Sequence, residues 1–118
     1  MSETNEELHT FTAAQLCAAF ASRRLSPVEV ARASLDRIAR WEPALNAMYL
    51  VQADAALAQA KAAEARWQAG APHSALDGVP VTIKENIYTR GDPAPIGTAA
   101  NGDLPPAESD APPAARVR

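Results

Sequence analysis

Leu76-Asp77-Gly78-Val79-Pro80-Val81-Thr82-Ile83-Lys84-Glu85-Asn86 is the stretch on which the fold of this 118-residue chain turns. Val79, Val81 and Ile83 alternate with Pro80, Thr82 and Lys84, which is the two-residue rhythm of a strand. Asp77-Gly78 supplies a turn signal before it. The strand so predicted ends in a lysine followed by a polar pair. An amine at the end of an apolar strand can be held against packed surface, where desolvation favours the neutral form that a general base requires. Most lysines are exposed, so the pattern alone leaves a solvated edge lysine as the simpler reading of Lys84.

Upstream of this stretch the chain reads as helix. Thr12-Ala13-Ala14-Gln15 is a capping box, with Phe11 and Leu16 placed as a hydrophobic staple, and a helix is predicted from there to about Arg24. Ser26-Pro27-Val28-Glu29 repeats the device with a proline at the first helical position, and Leu25 with Val30 forms a second staple. Val28, Ala31, Leu35 and Ile38 fall on one face of the second helix, so the two helices should pack as a hairpin. Pro43 disfavours helix at Glu42 and sets the expected end. A third, alanine-rich helix is predicted from about Asp54 to Ala69, with Leu57, Ala60 and Trp67 as contacts and Gly70 as its stop.

Downstream, six of the 23 residues from Gly91 to Pro113 are proline, which predicts an irregular excursion. Asp110 is placed to cap a last helix containing Ala114 to Arg118. That helix has hardly begun when the sequence ends, so the chain reads as a piece of a longer protein.

Composition limits the rest. The chain is 47% hydrophobic, but 28 residues are Ala and only 5% are aromatic, so apolar content is broad and shallow and a marginal fold is expected. A formal charge of -3 offers no positive field for nucleic acid or anionic membrane. No apolar run approaches a membrane span, and the acidic Met1 to Thr10 does not resemble a secretory signal, which makes the cytoplasm the default compartment. Cys17 stands alone and reads as a small buried apolar residue. His9 and His73 read as solvated, and Trp41 and Trp67 as helix-packing residues.

Gly78-Val79-Pro80-Val81-Thr82-Ile83-Lys84-Glu85-Asn86, followed by Gly91 and by Gly97-Thr98, strongly resembles the opening motif of the amidase signature family. The resemblance is sharpest from Leu76 to Thr98. It implies an α/β fold: a large mixed sheet between helical layers, to which this chain would supply the N-terminal helices and the first strand, incomplete by itself. It also implies an amide hydrolase with a Ser/cis-Ser/Lys triad in which Lys84 is the base. The lysine would take a proton, through a bridging serine on a strained cis peptide, from the serine that attacks the amide carbonyl. Glu85, Asn86 and Thr98 would hold the lysine and its loop in place. The resemblance implies no metal or organic cofactor, a small-molecule amide as partner, and a possible homodimer.

Both serines of that scheme lie tens of residues past the lysine in the family. After Lys84 this sequence has only Ser109, whose Ala107-Glu108-Ser109-Asp110 setting reads as a loop or cap. The resulting organisation is a disordered acidic tail over 1–10, a helical region over 11–70, and the start of the amidase-signature core over 71–118, inactive alone. Two alternatives stay open: a non-catalytic helical interaction module, or a piece of the tRNA-linked amidotransferase subunit of the same family.

Overall fold

The computed structural model describes residues 7–118. Among these described residues four α-helices form: α1 (Ala13–Ala21), α2 (Pro27–Leu45), α3 (Ala53–Gln68) and α4 (Pro112–Val117). The chain divides into two compact units, one running to Pro80 and the other from Val81 to Arg118.

The first unit is built on the two capping boxes. The Thr12 backbone N–H donates to Gln15 Oε1 at 2.8 Å, and Gln15 N–H returns a bond to Thr12 Oγ1 at 3.2 Å. At α2, Ser26 N–H donates to Glu29 Oε2 at 2.8 Å and Val28 N–H to Ser26 Oγ at 2.9 Å. Each box satisfies N–H groups that a helix start leaves without partners. Ser26 Oγ also bonds Glu64 of α3, so the α2 cap is tied to a second helix.

The staple residues Phe11, Leu16, Leu25 and Val30 gather with Phe20 in one cluster, whereas the α2 stripe does not join it: Val28 and Ala31 fall in a second cluster and Leu35 and Ile38 are half-buried. Leu16, Ala19, Phe20, Leu25, Val30 and Ala33 are buried together, with Phe11, Trp67 and Val79 packed against them. Phe20 is 1% exposed, and its ring centroid lies 6.3 Å from that of Trp67. Val28, Ala31 and Ala60 form a second cluster between α2 and α3, with Leu57 at its side. Alanine dominates this seam because small side chains let two helices approach closely.

Several boundaries differ from expectation. Leu8–Thr10 forms a 3-10 turn, and Leu8 is buried in the core, so the tail expected over 1–10 is structured in its last part; residues 1–6 lie outside the described residues. α1 stops at Ala21, three residues short of Arg24, where Arg23 turns left-handed at φ 58°. α2 runs through Pro43 to Leu45 and is closed by Asn46 at φ 48°. A proline in the last turn forfeits one N–H bond, and the following Asn46 N–H still reaches Glu42 O at 2.8 Å. Asp110 does not cap α4; Ala111 occupies the N-cap position, and the Asp110 carboxylate accepts from the Arg90 backbone at 2.7 Å.

The expected strand does not form. Among the described residues none is in a strand, and Pro80 to Lys84 runs without a ladder partner. A strand needs a neighbour to take its backbone bonds. Composition changes after Gly70, whereas the compact units divide after Pro80, because Asp77, Gly78 and Val79 fold back onto the helices.

The second unit has little apolar interior; Ala114 is its one buried hydrophobic among the described residues. Polar bonds hold it instead. Gly91 N–H donates to Ala107 O at 2.9 Å, Ala107 N–H to Asp92 O at 3.1 Å, and Ala111 N–H to Tyr88 O at 2.8 Å. Arg118 pairs with Asp110 at 3.3 Å and with Asp92 at 3.8 Å.

Candidate functional site

The segment that leads to Lys84 is anchored at its start. The Asp77 side chain is 6% exposed and accepts from Arg66 Nε and Arg66 Nη2, both at 2.7 Å. The His73 N–H donates to the same carboxylate at 2.9 Å, while Trp67 Nε1 donates to the Asp77 carbonyl at 2.9 Å. The paired bonds from Arg66 are the main cause that lowers the Asp77 carboxyl to about 2, with the His73 N–H assisting against the cost of burial. The same contact raises the Arg66 guanidinium.

Gly78 comes next, at φ +86°. A Cβ there would lie 2.8 Å from Pro27 Cγ and 3.2 Å from Ala63 Cβ, so glycine lets the backbone press against α2 and α3. Val79 then packs on the core of the first unit.

In the second unit, Val81 is 58% exposed, Ile83 half-buried and Lys84 exposed. The Lys84 carbonyl accepts from Ile87 N–H at 2.9 Å, closing a turn with Glu85 and Asn86 at its corners. Glu85 is half-buried and Asn86 exposed. Ile96 and Gly97 are both left-handed, at φ 51° and 68°. For a β-branched residue that conformation costs about 1–2 kcal/mol. It turns the chain so that Thr98 caps the 3-10 turn Ala99–Asn101, its Oγ1 accepting from Ala100 N–H at 3.2 Å.

A Cβ on Gly97 would sit 3.5 Å from Glu85 Oε1. Glu85 and the Gly97-Thr98 bend are therefore neighbours, although twelve residues separate them. The family model for amidases matches residues 29–118. The chain belongs to the amidase family.

Curated relatives agree with that assignment. The chain is 45% identical over 96 residues to a glutamyl-tRNA(Gln) amidotransferase subunit of Acidothermus cellulolyticus, an alignment covering 80% of this chain and 19% of that protein. The protein of the same name from Synechococcus elongatus is 46% identical over 85 residues, 71% of this chain and 18% of the relative. That of Myxococcus xanthus is 39% identical over 101 residues, 85% and 21% respectively. The chain thus spans about a fifth of the length of the curated relatives it matches.

Other residues weighed in the sequence fall outside this amidase motif. A cleft of about 140 Å³ lined by Phe20, Ser26, Glu64 and Trp67 includes no residue from 76 to 98. Cys17 is half-buried, His9 and His73 are exposed, and Trp41 is 44% exposed with the Arg40 guanidinium 5.6 Å from its ring centroid. Among the described residues no helix is long and apolar enough to cross a membrane. The Asp77 anchor escapes sequence reading, where Asp77-Gly78 registers only as a turn; an arginine and a tryptophan side by side at the end of α3 are the signal available for it.

Proposed function

We propose that these residues are the part of an amide-cleaving enzyme that carries its general base, Lys84. The observation behind this reading is the Gly78–Asn86 motif lying inside the amidase match. In the proposed reaction a serine hydroxyl contributed from outside these 118 residues attacks a carboxamide carbonyl. Its proton passes through a bridging serine to the Lys84 amine, and backbone N–H groups stabilise the oxyanion. The proton returns to the departing nitrogen, ammonia leaves, and water hydrolyses the acyl-enzyme to the carboxylate.

Glu85, Asn86 and Thr98 are positioning residues in this account. Glu85 lies beside Gly97, so the turn after Lys84 and the bend before Thr98 are neighbours. The exposure of Lys84 and the missing ladder at Val79–Ile83 fit a segment that becomes an inner strand of an α/β sheet when the rest of the polypeptide pairs with it. On that view residues 71–118 begin the catalytic core, and the 118 residues alone turn over no amide.

A second reading is favoured by the relatives, which are named as amidotransferase subunits. Here the ammonia would displace the leaving group from a tRNA-linked glutamyl group whose side-chain carboxyl has first been activated, with other protein subunits and tRNA as partners. The formal charge of -3 gives these residues no net positive field toward tRNA. Ammonia release by the purified full-length polypeptide separates the two. Hydrolysis of simple carboxamides without any partner supports the stand-alone amidase; glutamine cleavage that appears only with partner subunits and charged tRNA supports the amidotransferase. No amide cleavage under either condition overturns both.

A further inference from the structure

Three consecutive residues, Asp77, Gly78 and Val79, are fixed to the helices by three different physical means. The Asp77 side chain and its carbonyl are held at once by Arg66 and Trp67, neighbours on the last turn of α3. Gly78 is pressed where no Cβ fits, and Val79 shares a core cluster with Trp67. Isolated surface ion pairs hold little in place. This one is different: the carboxylate is almost buried, receives two parallel bonds from one guanidinium and a third from a backbone N–H. The course of the chain through Val79 is thereby fixed, and Lys84 lies five residues further on in the sequence.

We propose that the last turn of α3 is a clamp that positions the lysine-bearing segment for amide cleavage, with Arg66, Trp67 and Asp77 as positioning residues. This rests on the reading of Lys84 as the base. Proton transfer demands close placement, and a misplacement of about 1 Å can cost about 100-fold in rate. The indole N–H matters separately from the ring, because the ring packs on Phe20 while the N–H alone holds the Asp77 carbonyl.

The test uses the full-length polypeptide with Trp67→Phe, Asp77→Asn and Asp77→Glu, and a fluorophosphonate as probe. That reagent reports an activated serine whatever the natural amide: the Oγ–P bond forms, the P–F bond breaks, fluoride leaves and the serine proton goes to the base. Trp67→Phe and Asp77→Asn should slow the maximal labelling rate at least about tenfold, with the probe's half-saturating concentration within about threefold. Backbone hydrogen exchange should quicken across residues 78–84 and stay unchanged in α1, and Asp77→Glu should recover part of the rate. Folded variants that label at the wild-type rate, or that leave exchange over 78–84 unaltered, overturn the clamp. Should Asp77→Asn not fold, Trp67→Phe decides alone, since it keeps the aromatic packing. Lys84→Met is the separating control: wild-type labelling by that variant removes the base and the clamp's catalytic role together, whereas silence of Lys84→Met beside full-rate clamp variants removes the clamp only.

Discussion

Arg66 grips Asp77 with two bonds of 2.7 Å across eleven residues, joining the end of α3 to the residue that precedes the glycine of the amidase motif. The helical region and the motif are therefore one mechanical piece up to Pro80.

The acid titration of Asp77 follows from that contact. Its carboxyl ordinarily titrates near 3.8 and is held at about 2 in the folded chain, chiefly by the Arg66 bonds. A depressed acid contributes stability that is complete above its unfolded value and lost as pH falls through the folded one. The carboxyl ¹³C shift of Asp77 should have its midpoint near pH 2, and Asp77→Asn should flatten the decline in thermal midpoint between about pH 4 and pH 2. A midpoint near pH 4 would show that the pair does not persist in solution.

Gly78→Ala meets two obstacles, a backbone at φ +86° and a Cβ 2.8 Å from Pro27. The expected loss is about 2 kcal/mol or more, read from urea unfolding. Gly70→Ala offers the comparison: it shares the positive φ, but nothing lies within 4 Å of its Cβ, so it should lose only the backbone part. Equal losses at the two glycines would contradict close packing at Gly78.

Phe20→Ala should be the most damaging single truncation in the first unit. The side chain is 1% exposed, and the unit has few other large residues to close the gap. A cost of about 3–5 kcal/mol is expected, enough to abolish the cooperative thermal transition of the 118-residue chain and the near-ultraviolet signal of Trp67. A retained sharp transition would contradict the assignment of Phe20 to the centre of the core.

The two caps should differ. Thr12→Ala removes one reciprocal box, at about 1 kcal/mol, whereas Ser26→Ala removes a box and the bond to Glu64. Ser26→Ala should therefore cost more in helix content by far-ultraviolet dichroism at a fixed urea concentration. The reverse order would show that the Glu64 bond contributes nothing.

What could be read from the sequence was local. Thr12/Gln15, Ser26/Glu29, the stripe from Val28 to Ile38 and Gly70 each carry their meaning within four residues or one helical face, and the helices follow them. What could not be read depends on partners far along the chain or outside it. Leu8 is buried because the core accepts it, which an acidic surrounding hides. Val79 to Ile83 has the rhythm of a strand without a neighbour to pair with. In the site, Lys84, Glu85, Asn86 and Thr98 stand out by resemblance, but the Glu85–Gly97 proximity and the Arg66–Asp77 pair leave no periodic trace.

The most direct measurement is the steady-state rate of ammonia release by the full-length polypeptide carrying Lys84→Met, on whichever carboxamide the wild type cleaves fastest. Removal of a general base should lower kcat by roughly 10² to 10⁴-fold with the fold intact. A rate within about threefold of wild type would show that the proton goes elsewhere and that Lys84 is not the base.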